Sequence, residues 1–145
     1  MWRVTLPTSM HQLGLVVAEF NRAVTAEMEE TALDAARERD ATVVEVVSVP
    51  GAYDSPLAAD RLARRDDVDA VAVVGAIVTG DTNHDEVIGH ATAQKLTDVS
   101  LERDTPVTLG VTGPGMSGAE ARERVENAAS AVDSALDLVA ELEDA

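Results

Sequence analysis

The chain predicts a single α/β domain: a doubly wound sheet of four parallel strands with helices on both faces. Short apolar, β-branched runs alternate with helix-length segments four times along the 145 residues. The connections are short and successive strands are separated by helices, which implies parallel pairing through right-handed crossovers. No internal repeat, linker or low-complexity tract interrupts the pattern, so residues 1–145 are read as one domain. A chain of this size buries roughly two-thirds of its unfolded surface, enough for a proper core.

The elements follow in order. Leu13-Gly14-Leu15-Val16-Val17-Ala18 is a short apolar run ending at Phe20-Asn21, and Val24, Met28, Ala32 and Ala35 then mark one helical stripe. Residues 42–49 are rich in β-branched side chains and stop at Pro50-Gly51, a strand followed by a turn. Asp54 or Ser55 can cap the next helix, with Pro56 in its first turn where a missing N–H is harmless. Residues 69–75 suit a strand buried on both faces; a loop and a helix over about 85–103 follow, then a fourth strand over 106–111. Ala121, Val125, Ala128, Val132, Ala135, Val139 and Leu142 make one continuous stripe, read as a single last helix. The segment 3–5 is too short to stand alone. It is either frayed or an extra N-terminal edge strand, on this sheet or a neighbouring subunit's.

Charge narrows the range of partners. Twenty-seven acidic residues oppose eleven basic ones for a net −16, and Lys95 is the lone lysine beside ten arginines. Such a surface repels nucleic acid and acidic membranes, so neither is expected as a partner. With 46% hydrophobic residues and clear periodicity, the chain reads as folded and adapted to high salt rather than disordered. At ~1 M salt the Debye length falls to about 3 Å, which screens the self-repulsion. There is no cysteine, which excludes disulfides, iron–sulfur clusters and thiolate zinc. No apolar run approaches the ~20 residues of a membrane span. Met1-Trp2-Arg3-Val4-Thr5 lacks the apolar stretch of a signal peptide, so a cytoplasmic location is expected.

In open parallel sheets, ligands bind beyond the carboxyl ends of the strands, where strand order reverses. Those ends here carry Phe20-Asn21, Gly51-Ala52-Tyr53-Asp54, the stretch 77–84 and the stretch 109–115. Trp2, Phe20 and Tyr53 are the only aromatics, and two of them fall at strand ends. Phe20 is therefore read as a stacking platform for a flat ligand. In the loop Gly80-Asp81-Thr82-Asn83-His84, backbone N–H groups at a helix start and the Thr82 hydroxyl would favour an anion. Ordinary turn and cap chemistry explains the loop equally well, and the spacing of Gly75 and Gly80 matches neither the nucleotide phosphate loop nor the dinucleotide fingerprint.

His84 can move protons near neutral pH without special tuning. His90 lies about 240° away round a helix, so a metal site from His84, Asp85, Glu86 and His90 is awkward and none is expected. His11 is expected to be a solvated loop residue. No serine stands on a Gly-x-Ser-x-Gly elbow. Arg124 lies beside the final apolar stripe. It is either a surface cation paired with Glu120 or Glu123, or a phosphate clamp offered to a neighbouring subunit.

Together these residues resemble the 6,7-dimethyl-8-ribityllumazine synthase family, especially its archaeal, halophile-like branch. The blocks are AEFNRAVT (18–25), VPGAYDSPLA (49–58), VGAIVTGDTNHDEV (74–87), PVTLGVTGPGM (106–116) and ERV (123–125), in order and across nearly the whole chain. The resemblance implies a flavodoxin-like fold and a transferase of riboflavin biosynthesis that needs neither metal nor organic cofactor. It would condense 5-amino-6-(D-ribitylamino)uracil with 3,4-dihydroxy-2-butanone 4-phosphate, releasing phosphate and water. By the same resemblance, Phe20 stacks on the pyrimidine and Asn21 helps hold it. Ala52, Tyr53 and Asp54 bind the ribityl chain, and the Ile77-Val78 backbone meets the pyrimidine edge. Gly80, Asp81 and Thr82 bind phosphate with Arg124 of an adjacent subunit, and His84 carries protons. Leu109 falls where the family often has a substrate-contacting Phe.

Asp85 replaces a common aromatic, Thr79 a common Arg or Glu, and Ala128 or Ala129 a common lysine. These departures bear on the phosphate pocket rather than on the reaction class. The family's unit is a pentameric ring, and twelve rings can close into a sixty-subunit shell. Two alternatives share the scaffold: an archaeal-type riboflavin synthase, and a non-catalytic flavin-binding or cage-forming protein. A ring of chains each at −16 should dissociate or unfold as salt is withdrawn. Sedimentation across a salt series checks this, and an assembly intact at millimolar salt would refute it.

Overall fold

The computed structural model describes residues 11–80, 83–143 and 145. Four strands, β1 (Gln12–Ala18), β2 (Thr42–Val49), β3 (Ala70–Val78) and β4 (Val107–Met116), form one sheet in the order β2-β1-β3-β4. Every pairing is parallel, with Leu15 opposite Val46 on one side and Ala72 on the other, and Val73 opposite Leu109. The expected fourfold alternation is thus present. The segment proposed as an extra edge strand, 3–5, lies outside the described residues.

The helices are α1 (Arg22–Glu38), α2 (Ser55–Ala63), α3 (His84–Arg103), α4 (Gly118–Arg122) and α5 (Asn127–Leu142). Alternation along the central strands sorts them into two layers. Leu13, Leu15 and Val17 of β1, with Ala72 and Val74 of β3, pack against Met28 and Ala32 of α1 and Val132 and Leu136 of α5. Val16, Val71 and Val73 face the other way, onto Ala59 and Leu62 of α2 and Leu96 and Val99 of α3. With so few aromatics, close approach replaces bulk. A Cβ on Gly110 would stand 2.8 Å from the Ala131 Cβ, so β4 seats directly on α5.

Three expectations change. β3 runs on past Gly75 to Val78, and β4 continues through the Gly113-Pro114-Gly115 segment to Met116. Gly75 is a packing glycine rather than a stop, since a Cβ there would lie 2.9 Å from Ala18 Cβ. The last apolar stripe is not one helix. Ser117 and Glu120 form a reciprocal capping box that starts α4. The ladder then tightens, with Arg124 N–H donating to Ala121 O and Asn127 N–H to Arg124 O, both at 3.0 Å, before α5 begins. Such three-residue bonds break the α pattern without turning the apolar face away.

His11 is also not solvated. It is 2% exposed, its Nε2 lies 2.8 Å from a Glu143 carboxylate oxygen, and its Nδ1 is buried without a hydrogen-bond partner. The contact ties the start of β1 to the end of α5, a pairing no local pattern reveals. Among the described residues, no helix is long and apolar enough to cross a membrane.

Between α2 and α3 the Arg103 Nε donates to Asp60 at 2.7 Å, and Arg64 approaches the same carboxylate at 3.4 Å. The hydrogen bond from Arg103 is the main reason that Asp60 titrates below the usual aspartate value of 3.8. A depressed carboxylate stabilises the fold above its unfolded value, and the benefit goes as pH falls through the lowered folded value. Asp60→Asn should therefore cost up to about 1 kcal/mol near neutrality. The gap to the parent chain should close well below pH 3.8. Thermal unfolding at a series of pH values in constant molar salt reads this out.

Candidate active site

The cleft opens where strand order reverses. The chain leaves β1 toward β2 on one side, then returns to place β3 on the other, so the connections diverge above the β1–β3 pair. A cavity of about 460 Å³ lies there, lined by Phe20, Pro50, Gly51, Ala52, Tyr53, Asp54, Ala76, Ile77, Val78, Gly80, His84, Asp85 and Ile88. These residues come from the ends of β1, β2 and β3 and the start of α3. The size and largely apolar wall suit a small organic ligand.

Each wall has an identifiable support. After β1, Glu19 N–H donates to Val49 O at 2.8 Å and Phe20 N–H to Pro50 O at 2.9 Å, prolonging the β1–β2 ladder into the loop. Asn21 then turns the chain into α1 in the left-handed conformation, φ 65°, which Asn tolerates better than most residues. Its side-chain amide donates to Ala76 O at 3.4 Å. The ring of Phe20 is left 68% exposed over the cleft.

After β2 a single 3-10 turn covers Ala52–Asp54. The Ala52 carbonyl accepts from Ser55 Oγ at 2.7 Å and Thr92 Oγ1 at 3.3 Å, which pins the turn to both α2 and α3. Asp54 Oδ2 accepts the Gly51 N–H at 3.1 Å. Tyr53, between them, is 69% exposed. Two aromatic faces held open to solvent at one cleft represent apolar area left unburied, which is the informative exception in so aromatic-poor a chain.

After β3, Ile77 and Val78 form the floor and Gly80 the near edge, with His84 at the first position of α3. Ile88 lies four residues beyond His84, on the same helical face. Asp81 and Thr82 lie outside the described residues.

Phe20, Ala52, Tyr53, Asp54, Ile77, Val78, Gly80 and His84 thus line one cleft. Three other candidates stand apart from it. Asn21 braces the β3 end and borders a separate groove beside α4. Leu109, half-exposed on β4, faces a shallow groove with Asn127, Ser130 and Ser134 of α5. Arg124 is exposed in the tight turn between α4 and α5. Neither Glu120 nor Glu123 pairs with it, and among the described residues it enters no ion pair. Asp85, marked in the sequence only as a departure from the family pattern, and Ile88, not marked at all, join the cleft. For Ile88 the four-residue spacing from His84 was a usable signal.

A parallel sheet in the order β2-β1-β3-β4, with a one-sided cleft at the β1–β3 reversal, defines a small-molecule-binding protein of the flavodoxin-like α/β class. Comparison with known proteins narrows this. A family model described as 6,7-dimethyl-8-ribityllumazine synthase matches residues 10–143. A protein of that name from Halobacterium salinarum is 74% identical over 133 residues, 92% of this chain and 100% of that protein. Another from Halorubrum lacusprofundi is 72% identical over 134 residues, again 92% and 100%. One from Methanosarcina barkeri is 49% identical over 130 residues, 90% of this chain and 97% of its own. The chain belongs to the 6,7-dimethyl-8-ribityllumazine synthase family. The first two relatives come from halophilic archaea, in keeping with the acidic balance.

The exposure of Phe20 makes its contribution separable from folding. Phe20→Ala should shift stability by no more than about 0.5 kcal/mol. The same change should weaken binding of a planar heteroaromatic ligand roughly tenfold, through loss of stacking area. Thermal unfolding and titration calorimetry on the same preparation check both.

Proposed function

We propose that this chain condenses 5-amino-6-(D-ribitylamino)uracil with 3,4-dihydroxy-2-butanone 4-phosphate to form 6,7-dimethyl-8-ribityllumazine in riboflavin biosynthesis, releasing phosphate and water. The observation that carries the reading is the cleft at the β1–β3 reversal, in a chain of this family, with the Phe20 and Tyr53 rings open to it and His84 at its edge.

Catalysis here is mainly positioning, because holding two reactants in register replaces a bimolecular encounter. Phe20 stacks on the pyrimidine, and the Ile77-Val78 backbone meets its polar edge. Asn21 holds the Phe20 loop in place. Ala52, Tyr53 and Asp54 take the ribityl chain, with the Asp54 carboxylate accepting from its hydroxyls. Gly80, Asp81 and Thr82 offer donors to the phosphate at the helix start. The amine attacks the ketone and expels its oxygen as water to give an imine, phosphate leaves by elimination, and the ring closes with loss of a second water. His84 carries the protons.

The site is shared between subunits. Arg124 of one chain completes the phosphate cradle of the next, and Leu109 closes the pyrimidine side. Two observations support this: both residues lie away from their own chain's cleft, and Arg124 has no ion-pair partner among the described residues. A ring of five is the expected unit, alone or as part of a sixty-subunit shell, working in the cytoplasm.

Mixing the purified protein with both substrates in molar salt should produce lumazine fluorescence, and lumazine alone should yield no riboflavin. Arg124→Ala should raise the KM for the butanone phosphate sharply, by loss of a charge-assisted clamp. His84→Ala should lower kcat by about 10- to 100-fold. If both variants keep parental kinetics, the site assignment is wrong.

A further inference from the structure

The loop that carries Gly80 and His84 bridges β3 and α3, and both of its ends are fastened to the same piece of β4. At the near end, Thr79 N–H donates to Met116 O at 2.8 Å. At the far end, Asp85 Oδ2 accepts the Gly115 N–H at 3.2 Å. Asp85 is only 8% exposed, whereas its neighbours His84 and Glu86 are exposed. A carboxylate taken this far from water is costly unless it is hydrogen-bonded, and the Gly115 amide supplies such a bond. Its place in the first turn of a 20-residue helix adds a favourable interaction with the helix dipole.

The partner segment is itself firmly seated. A Cβ on Gly113 would fall 2.0 Å from the Ile77 carbonyl oxygen, so this turn lies directly against the backbone of the cleft floor. Its glycines at 113 and 115 hold φ of 94° and 82°, conformations that other residues rarely adopt. One turn further along α3, Gly89 lies so close to Pro114 that a Cβ would approach its Cδ to 2.8 Å. The start of α3, the 113–115 turn and the end of β3 thus form one junction beneath the cleft.

We infer that Asp85 is a positioning residue for the site: its buried carboxylate clamps the first turn of α3 to Gly115 and so sets where His84 stands relative to the cleft floor. Removing the clamp leaves the Thr79–Met116 bond and the Gly89–Pro114 packing, and loosens the first turn of α3. The half of the cleft built on β1 and β2, which holds Phe20 and Tyr53, is untouched.

Two variants separate this from a structural or a chemical role. Asp85→Ala removes the acceptor. Asp85→Asn keeps an oxygen that can accept the Gly115 N–H while removing the charge. Asp85→Ala should raise the KM for the butanone phosphate by about tenfold, a typical effect of losing one charged acceptor. The KM for the ribitylaminouracil should stay within about twofold, and Asp85→Asn should recover most of the loss. Equal damage from both variants would mean that the charge, not the hydrogen bond, matters, and would overturn the inference. So would parental kinetics in Asp85→Ala, or a loss that falls equally on both substrates.

The kinetic arm rests on the condensation reading, and an inactive parent chain would sink that reading alone. Hydrogen exchange needs no turnover. Peptides covering 83–88 and 113–116 should exchange faster in Asp85→Ala and at the parental rate in Asp85→Asn. Exchange unchanged in Asp85→Ala, or accelerated over the whole chain, would overturn the inference even if activity were never found.

Discussion

The parallel pairing of β1 with β3 is the constraint on which the rest of the molecule depends. Those two strands are buried along nearly their whole length and carry the core residues of both layers. Because they are neighbours although β2 intervenes in sequence, the chain must cross behind the sheet on one face and return on the other. The connections that leave their carboxyl ends therefore diverge, and the space between them is the cleft. Nothing at the site has to be carved out of a packed interior. The void follows from strand order, and the local sequence only decides what lines it.

What lines it reflects how little bulk the chain uses elsewhere. The core is mainly valine, alanine and leucine, with Met28 as its largest flexible filler, and helix layers approach the sheet at glycines 14 and 110. Dense packing of small side chains leaves no interior need for aromatic rings. Phe20 and Tyr53 are then free to stand exposed at the strand ends. The loops that present them are fixed by backbone and hydroxyl bonds, from Glu19 and Phe20 to the β2 end and from Ser55 and Thr92 to Ala52. The connection after β3 is held at its near end by Thr79 N–H to Met116 O and at its far end by Gly115 N–H to Asp85, among the described residues.

Local pattern made the architecture legible because period-two and period-3.6 signals are properties of short windows. The stripe Val24, Met28, Ala32, Ala35 is buried as read, and β2 has the expected bounds. The misreadings share one cause. Gly75, and the glycines and proline at 113–115, carry the composition of a strand end, yet Gly75 makes room for the Ala18 side chain, Gly113 lies against the Ile77 carbonyl, Pro114 packs on Gly89, and Gly115 holds a positive φ. The break between α4 and α5 leaves the apolar spacing intact, so only the hydrogen bonds reveal it. His11 with Glu143 and Asp85 with Gly115 pair residues 132 and 30 positions apart, distances over which periodicity carries no information. In the site, the aromatics, the glycine and the histidine stood out by type and place. Asp85 did not, since an acid at a helix start is ordinary.

The charge balance connects these points. Arg22, Arg37, Arg39, Arg64, Arg65, Arg103 and Lys95 are each committed to an acid of the same chain. Among the described residues, Arg61, Arg122 and Arg124 enter no such pair. Among the described residues, Asp54 and Asp85 line the cleft, and no arginine or lysine does. A cleft of this sign does not attract an anion by its own field. Either backbone donors at the α3 start provide all the affinity, or a cation enters from outside the chain. Molar salt screens long-range attraction within a few ångströms, which leaves contact-range pairing as the effective form of electrostatic recognition. The proposed delivery of Arg124 by a neighbouring subunit, with no acid of its own to leave, would satisfy both conditions. A cation held permanently within the chain's own cleft would be drawn into the surplus of carboxylates that already occupies seven of its kind.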